Sequence, residues 1–338
     1  TGAGGSIGSE LCRQALLFNP KILILLDISE SALYLIDKEI QALNKLSVKI
    51  IQVIASVRDS ERMKKIISEF NVQTIYHSAA YKHVPLVEFN PTEGVLNNSI
   101  GTRNIAEVAV ALNVETFVLI SSDKAVRPTN TMGASKSLAE KLVLSLSKEK
   151  HNTTLTMVRF GNVLNSSGSV IPLFRDQIAK GGPITLTDKK IVRYFMTVQE
   201  SVELVIQSGA MSSGGDIFIL DMGEPILIYD MAVKMIELSG LEVISKENPN
   251  GDIAIKITGL RPGEKLYEEL LTSEASEGTI NPLIMRAFEP AEEWSSLRES
   301  ILILEKASLE SNVNKTREIL LELVPDFAPR EKNIDFSL

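Results

Sequence analysis

Asp123 and Lys124 stand side by side in the run Ser121-Ser122-Asp123-Lys124, directly after the apolar stretch Phe117-Val118-Leu119-Ile120. A carboxyl group gives a proton if burial raises its pKa, and an amine takes one if desolvation and neighbouring cations lower its own. Eight residues after Lys124 comes Met132-Gly133-Ala134-Ser135-Lys136. Helical residues four apart share a face, so Met132 and Lys136 are expected to point together toward the cleft beside the acid and the amine. Lys136 is suited to bond a nicotinamide ribose and, through its charge, to lower nearby pKa values. Standing alone, Asp123 and Lys124 also read as a polar turn closing a strand, and Lys136 as a solvated helix lysine.

A cofactor loop changes that balance. Gly2-Ala3-Gly4-Gly5-Ser6-Ile7-Gly8 reads as G-x-x-G-x-x-G ahead of a helical stretch at 9–17. Such glycines allow a tight turn and close approach of a pyrophosphate, whose charge suits the exposed N–H groups of a helix start. The apolar run 21–27 then ends in Asp27, where a carboxylate can bond adenosine ribose hydroxyls. An acid there repels the extra phosphate of NADP and points to NAD. Asp27 can equally cap the helix at 29–46.

The elements that must position these groups alternate along the chain. Strands are expected at 48–55, 72–79, 115–122 and 154–159, and helices at 58–70, 98–112 and 131–150, with an exposed loop around Pro91. That alternation implies an α/β fold, a doubly wound parallel sheet of Rossmann type, with ligands beyond the carboxyl ends of its strands. The NAD-binding domain is placed at 1–162. From there the pattern loosens into short segments broken at Gly181-Gly182-Pro183, with strand candidates at 216–221 and 253–258. Residues 163–290 are read as a smaller substrate lobe interleaved with late strands of the sheet. Residues 291–338 are read as a tail with helices at 295–307 and 314–323. The chain opens on Thr1-Gly2 without an apolar strand before its glycine loop, so that strand, with a targeting or anchoring region, is expected upstream.

Bulk properties set limits. The 338 residues carry a formal net charge of -8, which argues against a general nucleic-acid surface. The single cysteine, Cys12, excludes a disulfide framework and a thiolate zinc cluster, and the three histidines, His77, His83 and His151, lack metal-ligand spacing, so no metal is expected. No apolar run approaches membrane-helix length.

Taken together, the glycine loop, Asp27, the loop 79–84, Asn98 and the spacing to Lys136 resemble the extended short-chain dehydrogenase/reductase family. Within it, Ser122-Asp123-Lys124-Ala125-Val126-Arg127-Pro128-Thr129-Asn130 is similar to the nucleotide-sugar 4,6-dehydratases of bacterial surface-polysaccharide and glycoprotein synthesis. The match is closest to the membrane-associated type acting on UDP-N-acetylglucosamine, including the enzyme that begins bacillosamine synthesis. It runs from Thr1 to about Phe288. The general family has a tyrosine where this chain has Met132, and a thioether cannot exchange a proton. The membrane-associated subgroup shares the methionine.

The resemblance implies NAD held by Gly2, Gly5, Ser6, Ile7, Gly8, Asp27, Ala79, Ala80, Tyr81 and Lys136, with Ser56 and Val57 where an aspartate often meets adenine. It implies Ser122 bonding the oxygen at sugar carbon 4, Asp123 as the acid at carbon 6 and Lys124 as the base at carbon 5. The acceptor of the first proton is open between Asp123, a water and Tyr81. Arg193 and Arg261 resemble a diphosphate clamp, and 159–164, with Asn162, the stretch where that diphosphate passes. Val170, Pro172 and Thr185 resemble the uracil contacts, Glu264 a ribose contact, and Lys82 and His83 further substrate contacts. A homo-oligomer, dimer or higher, is implied through the apolar faces of 98–112 and 131–150, as is a place at the cytoplasmic face of the bacterial inner membrane, with membrane contact only through upstream sequence. Other readings are a nucleotide-sugar 4-epimerase, which has no use for an Asp-Lys pair, and a catalytically inactive NAD-binding module, which Met132 motivates.

Overall fold

Apolar runs that can be buried on both faces become parallel strands, and the amphipathic runs between them become helices that cover the sheet. The computed structural model, which describes residues 1–45, 47–269 and 276–329, follows that alternation from the glycine loop onward. Helix α1 (Ser6–Leu17), strand β1 (Ile22–Asp27), helix α2 (Glu30–Leu43), strand β2 (Lys49–Ile54), helix α3 (Ser60–Glu69) and strand β3 (Thr74–His77) come first. Leu46, part of the expected helix 29–46, lies outside the described residues. A helical run follows: α4 (Val84–Phe89), α5 (Pro91–Val95), a π turn (Leu96–Ile100) and α6 (Gly101–Ala111). This corrects the expected exposed loop around Pro91. A helix's first turn has no use for the N–H that proline lacks, and Pro91 is buried there.

Strand β4 (Thr116–Ile120), a 3-10 turn (Asp123–Ala125), helix α7 (Thr131–Leu146) and strand β5 (Thr154–Arg159) complete the first half. The second half is more regular than its short apolar segments suggest. It contains β6 (Asn162–Val163), α8 (Val170–Ala179), β7 (Ile184–Leu186), β8 (Val192–Arg193), β9 (Phe195–Met196), α9 (Val198–Met211), β10 (Asp216–Leu220), β11 (Ile226–Leu227), α10 (Ile228–Leu238) and β12 (Ile255–Ile257). Strands β13 (Ser276–Gly278) and β14 (Ile284–Ala287) and helices α11 (Trp294–Leu309) and α12 (Val313–Leu323) follow. Residues 330–338 of the expected tail lie outside the described residues.

The main sheet runs β13-β14-β10-β5-β4-β3. Strands β3, β4, β5 and β10 are parallel, and β14, not anticipated from the sequence, adds antiparallel to β10. Phe117, Leu119, Leu155, Met157, Ile217 and Ile219 face one layer of packing, and Val118, Ile120, Val158, Phe218 and Leu220 the other. Strands β1 and β2 pair separately. The segment 1–3 crosses between the two groups, with Ala3 N donating to Leu26 O at 3.1 Å and Ser78 N to Thr1 O at 3.3 Å. Beside it lies an apolar slot of about 120 Å³, lined by Leu11, Ile24, Leu26, Met63, Ile75 and Tyr76.

Helices α11 and α12 fold back on the first half. Leu297, Ile301, Leu304, Ile319 and Leu320 are buried against Val95, Leu96, Ile100, Ala134, Leu138 and Leu142. Much of the apolar face that the sequence offers for pairing two copies is therefore covered from within the chain. Among the described residues no helix is long and apolar enough to cross a membrane.

Candidate active site

The carboxyl end of β4 supplies the centre of the site. Ser121 N donates to Val158 O at 2.8 Å and Asp123 N to Phe160 O at 3.1 Å, so the polar run continues the sheet edge before the 3-10 turn bends it away. Helix α7 starts against that turn. Asn130 caps it, its side-chain oxygen accepting from Gly133 N at 2.8 Å. A Cβ on Gly133 would fall 2.3 Å from Lys124 O, so only glycine allows the helix this close. Asn130 Nδ2 and Thr129 Oγ1 both donate to Gly263 O, and Lys265 Nζ donates to Val126 O at 3.1 Å. These bonds bring the arginine-bearing turn at 261–265 to the mouth of the strand, a contact that sequence spacing did not reveal.

A cavity of about 880 Å³ opens here. Its wall includes Gly5, Ser6, Ile7 and Gly8 at one end and Ser121, Ser122, Lys124, Met132 and Lys136 at the strand end. Ala80, Tyr81, Lys82, His83, Asn162, Val170, Thr185, Arg193, Arg261 and Glu264 complete the set of expected residues on its wall. Pro172 does not line it, nor do Gly2, Asp27, Ser56, Val57, Ala79 and Asp123. Asp27 braces the loop from behind, accepting from Gly4 N and Ser29 N at 2.8 Å each. Gly2 lies against Ala79, where a Cβ would come within 2.8 Å of the Ala79 nitrogen. Ser56 Oγ accepts from Arg58 N at 3.2 Å, and Val57 packs against Gly101.

The acid and the amine meet. Lys124 Nζ donates to Asp123 Oδ1 at 2.9 Å and to Asn162 Oδ1 at 3.3 Å, while Ser122 Oγ donates to Asp123 Oδ1 at 2.8 Å. Asp123 Oδ2 is buried without a hydrogen-bond partner among the described residues. Burial opposes the Lys124 ammonium, yet the attraction of Asp123 and Glu268 outweighs it and holds the pKa above the ordinary lysine value. This corrects the expectation of a lowered pKa, because carboxylates rather than cations dominate its surroundings. Glu268, unmarked by any sequence motif, has its own pKa raised by burial and lies 3.7 Å from Arg193 Nη2. Lys136 behaves oppositely: burial lowers its pKa to about 8, and its Nζ donates to Ile120 O at 2.6 Å.

Two of the expected anion contacts are engaged otherwise. Arg193 donates to the carbonyls of Val192 at 2.7 Å, Lys265 at 2.8 Å and Leu266 at 3.2 Å, fastening the turn that carries Arg261 and Glu264. Arg159 is buried on Glu140, at 2.9 and 2.7 Å, and on Glu289, at 2.6 Å, and does not line the cavity. Arg261 keeps an exposed side chain on the cavity wall. Asn98, within the π turn, holds the 79–81 loop by exchanging hydrogen bonds with Tyr81 N and O, at 2.8 and 2.9 Å.

The glycine end fits a dinucleotide phosphate. Helix α1 begins at Gly5 with no side-chain cap, which leaves N–H groups of its first turn for a ligand. A Cβ on Gly8 would fall 1.8 Å from Gly2 O, so only glycine lets the helix start close against the loop. Among the described residues no cluster suited to a metal ion occurs.

Residues 1–289 match the profile of a family described as polysaccharide biosynthesis protein. Over 271 residues the chain is 50% identical to capsular polysaccharide biosynthesis protein CapD of Staphylococcus aureus, a match covering 80% of this chain and 44% of that protein. The chain thus spans less than half the length of that relative. It is 34% identical over 281 residues to a UDP-glucose 4-epimerase of Rickettsia rickettsii, covering 81% of this chain and 77% of that one. Pen from Bacillus thuringiensis, a solved structure, superposes with a TM-score of 0.75 at 34% identity, covering 89% of this chain and 96% of that one. DesIV, a dTDP-glucose 4,6-dehydratase from Streptomyces venezuelae solved with NAD and TYD bound, gives a TM-score of 0.67 at 19% identity over 80% of this chain and 86% of that one. At that identity the likeness is one of fold.

Proposed function

The chain belongs to the polysaccharide biosynthesis protein family, and from that membership we propose that it is an NAD-dependent nucleotide-sugar 4,6-dehydratase acting on UDP-N-acetylglucosamine. The observation that carries the reading is the Asp123–Lys124 ion pair, 2.9 Å across, whose lysine lines the cavity beside a methionine that cannot exchange a proton while its carboxylate is buried behind it. Elimination of water across carbons 5 and 6 needs an acid and a base together. The uncapped start of α1, the 80–81 loop and Lys136 would hold NAD, which when bound would supply a reversible acceptor for the electrons of the carbon 4 C–H bond. The choice of sugar nucleotide rests on the resemblance of the 122–130 run and Met132 to enzymes acting on that substrate.

The chain's own groups account for the protons. Asp123, whose Oδ2 has no hydrogen-bond partner among the described residues, takes the proton of the carbon 4 hydroxyl. Once Asp123 is protonated, the attraction that kept Lys124 charged weakens and burial favours the neutral amine. Lys124, one-fifth exposed, sheds its proton to the cleft and then removes the proton at carbon 5, made acidic by the neighbouring ketone. Asp123 passes its proton to the carbon 6 oxygen, which leaves as water, so one carboxylate both accepts and donates. Lys124 returns its proton to carbon 5 from the same face, retaining configuration there, while the two electrons removed at carbon 4 would come back as hydride at carbon 6 and restore the cofactor. The amine then recovers a proton from the cleft. Arg261, with Lys82, offers positive charge to the substrate diphosphate.

A second reading, nucleotide-sugar 4-epimerase, is favoured by the Rickettsia relative. Mass spectrometry after incubation with UDP-N-acetylglucosamine and NAD separates the two. A product lighter by one water, made by the wild type and lost in Lys124→Ala, is expected. An unchanged mass with altered sugar stereochemistry overturns the dehydratase reading in favour of the epimerase.

A further inference from the structure

Helix α4 and the loop before it give Tyr81, Lys82, His83, Leu86 and Val87 to the cavity wall, and the start of α7 gives Met132 and Lys136. What sets these two elements against each other lies behind the wall. Glu88 of α4 does not line the cavity; its Oε1 accepts from the backbone N–H of Thr131, the first residue of α7. A carboxylate there satisfies an N–H that has no partner inside the helix and suits the positive end of the helix dipole. The other oxygen of Glu88 is held from a third element, Arg317 Nη2 of α12 donating to Oε2 at 3.0 Å. The two side chains are 13% and 14% exposed, so water and salt screen the pair little. Helix α12 is itself seated, with Ile319 and Leu320 buried in one cluster with Val95, Ala134 and Leu138. It lies beyond residues 1–289, the span that matches the family profile.

We propose that Arg317 is a positioning residue for the active site: it fixes Glu88, and Glu88 locks α4 to the start of α7, so the C-terminal hairpin holds the 81–83 loop in register with Met132 and Lys136 across the cavity. The kinetic consequence rests on the dehydratase reading, and the mechanical one does not. Helix α4 is only six residues long, too short to keep its place by its own hydrogen bonds, and therefore needs an anchor outside itself. Met132 follows Thr131 directly and Lys136 stands on the next turn, so a shift at the Thr131 N–H is carried along the helix to both. Misplacing reacting groups by a fraction of their contact distance lowers turnover steeply, even when the contacts that bind the rest of the ligand survive.

The test compares Arg317→Met, Arg317→Lys and Glu88→Gln by steady-state kinetics on UDP-N-acetylglucosamine, NAD titration and amide hydrogen exchange, at a temperature well below the melting point of each variant. Arg317→Met is expected to lower kcat roughly 10- to 100-fold, with KM and NAD affinity within about 3-fold of wild type. Exchange should rise at 81–90 and 129–136 and stay low in β5 and β10. Arg317→Lys, which keeps the charge and a donor, should recover most of the loss. Glu88→Gln should reproduce it, and carries the prediction alone if Arg317→Met does not fold. Combining Glu88→Gln with Arg317→Met should cost less than the two separate effects together, because the residues act in series; losses that add in full overturn the linkage. A lowered melting temperature with unchanged kcat marks a structural ion pair and overturns the positioning role. If the wild type itself releases no water from the substrate, the dehydratase reading falls and the exchange measurement decides alone. Raised exchange at 81–90 and 129–136 in Arg317→Met then upholds the bracing, and unchanged exchange there overturns it.

Discussion

Lys124 and Lys136 are both amines removed from water, yet their neighbours drive them in opposite directions. Carboxylates at Asp123 and Glu268 keep Lys124 charged, whereas Lys136 has only the more distant Glu140 against its burial and titrates near 8 instead of the ordinary 10.5. The unfolded chain therefore binds more protons than the folded one between these two values, so stability rises with pH across that window. Below about 8 both forms are protonated and the full penalty of burying the ammonium is present. Urea unfolding of the cofactor-free protein at a series of pH values should show this gain, roughly 3 kcal/mol over the whole window. Lys136→Met should flatten that rise. An equal slope in the variant would assign the effect to another group.

Strand β5, helix α7 and the segment after β14 are joined by one buried guanidinium. Arg159, 2% exposed, binds Glu140 of α7 and Glu289 beyond β14. Removing one member of a buried ion pair strands its partner's charge, at a cost of about 3–5 kcal/mol. Arg159→Met is accordingly expected to lower the unfolding free energy measured in urea by that amount while leaving the affinity for UDP-N-acetylglucosamine close to wild type in dilute buffer. A selective loss of substrate affinity with normal stability would instead return Arg159 to the diphosphate site that its neighbours in sequence suggested. Helix α7 itself is set by Asn130 and Gly133, one capping the helix and the other admitting the Lys124 carbonyl, and both are legible as signals only once the 3-10 turn is known to lie beneath them.

At the scale of the whole molecule, the C-terminal helices take the surface that the sequence assigns to a second copy. Ile301 is fully buried between α11 and the α5–α7 face. A carboxylate at that point has no partner, and burying it unpaired costs several kcal/mol. Ile301→Asp should therefore release the helical hairpin and expose the apolar face, seen as a rise in mass by light scattering relative to wild type. An unchanged mass and an unchanged melting temperature would show that the hairpin contributes little to covering that face. Any association of the intact chain is expected to use another surface.

The sequence by itself determined the α/β alternation, the glycine loop with Asp27 behind it, and the gathering of Ser121 to Lys124 with Met132 and Lys136. Each of these depends on local spacing or on residues buried on both faces of a strand, and such patterns are written along the chain. Helices α8 to α10 and strand β14 were not legible, because short apolar segments take their form from the sheet edge and substrate cavity they cover. Only the tertiary structure decided that Lys124 holds its proton and that Arg193 and Arg159 serve carbonyls and carboxylates. Those outcomes depend on which charges and acceptors come within a few ångströms after folding, and on how much water is excluded between them. Residues such as Glu268 and Glu289, far along the chain from the groups they act on, carry no trace of that meeting in the sequence.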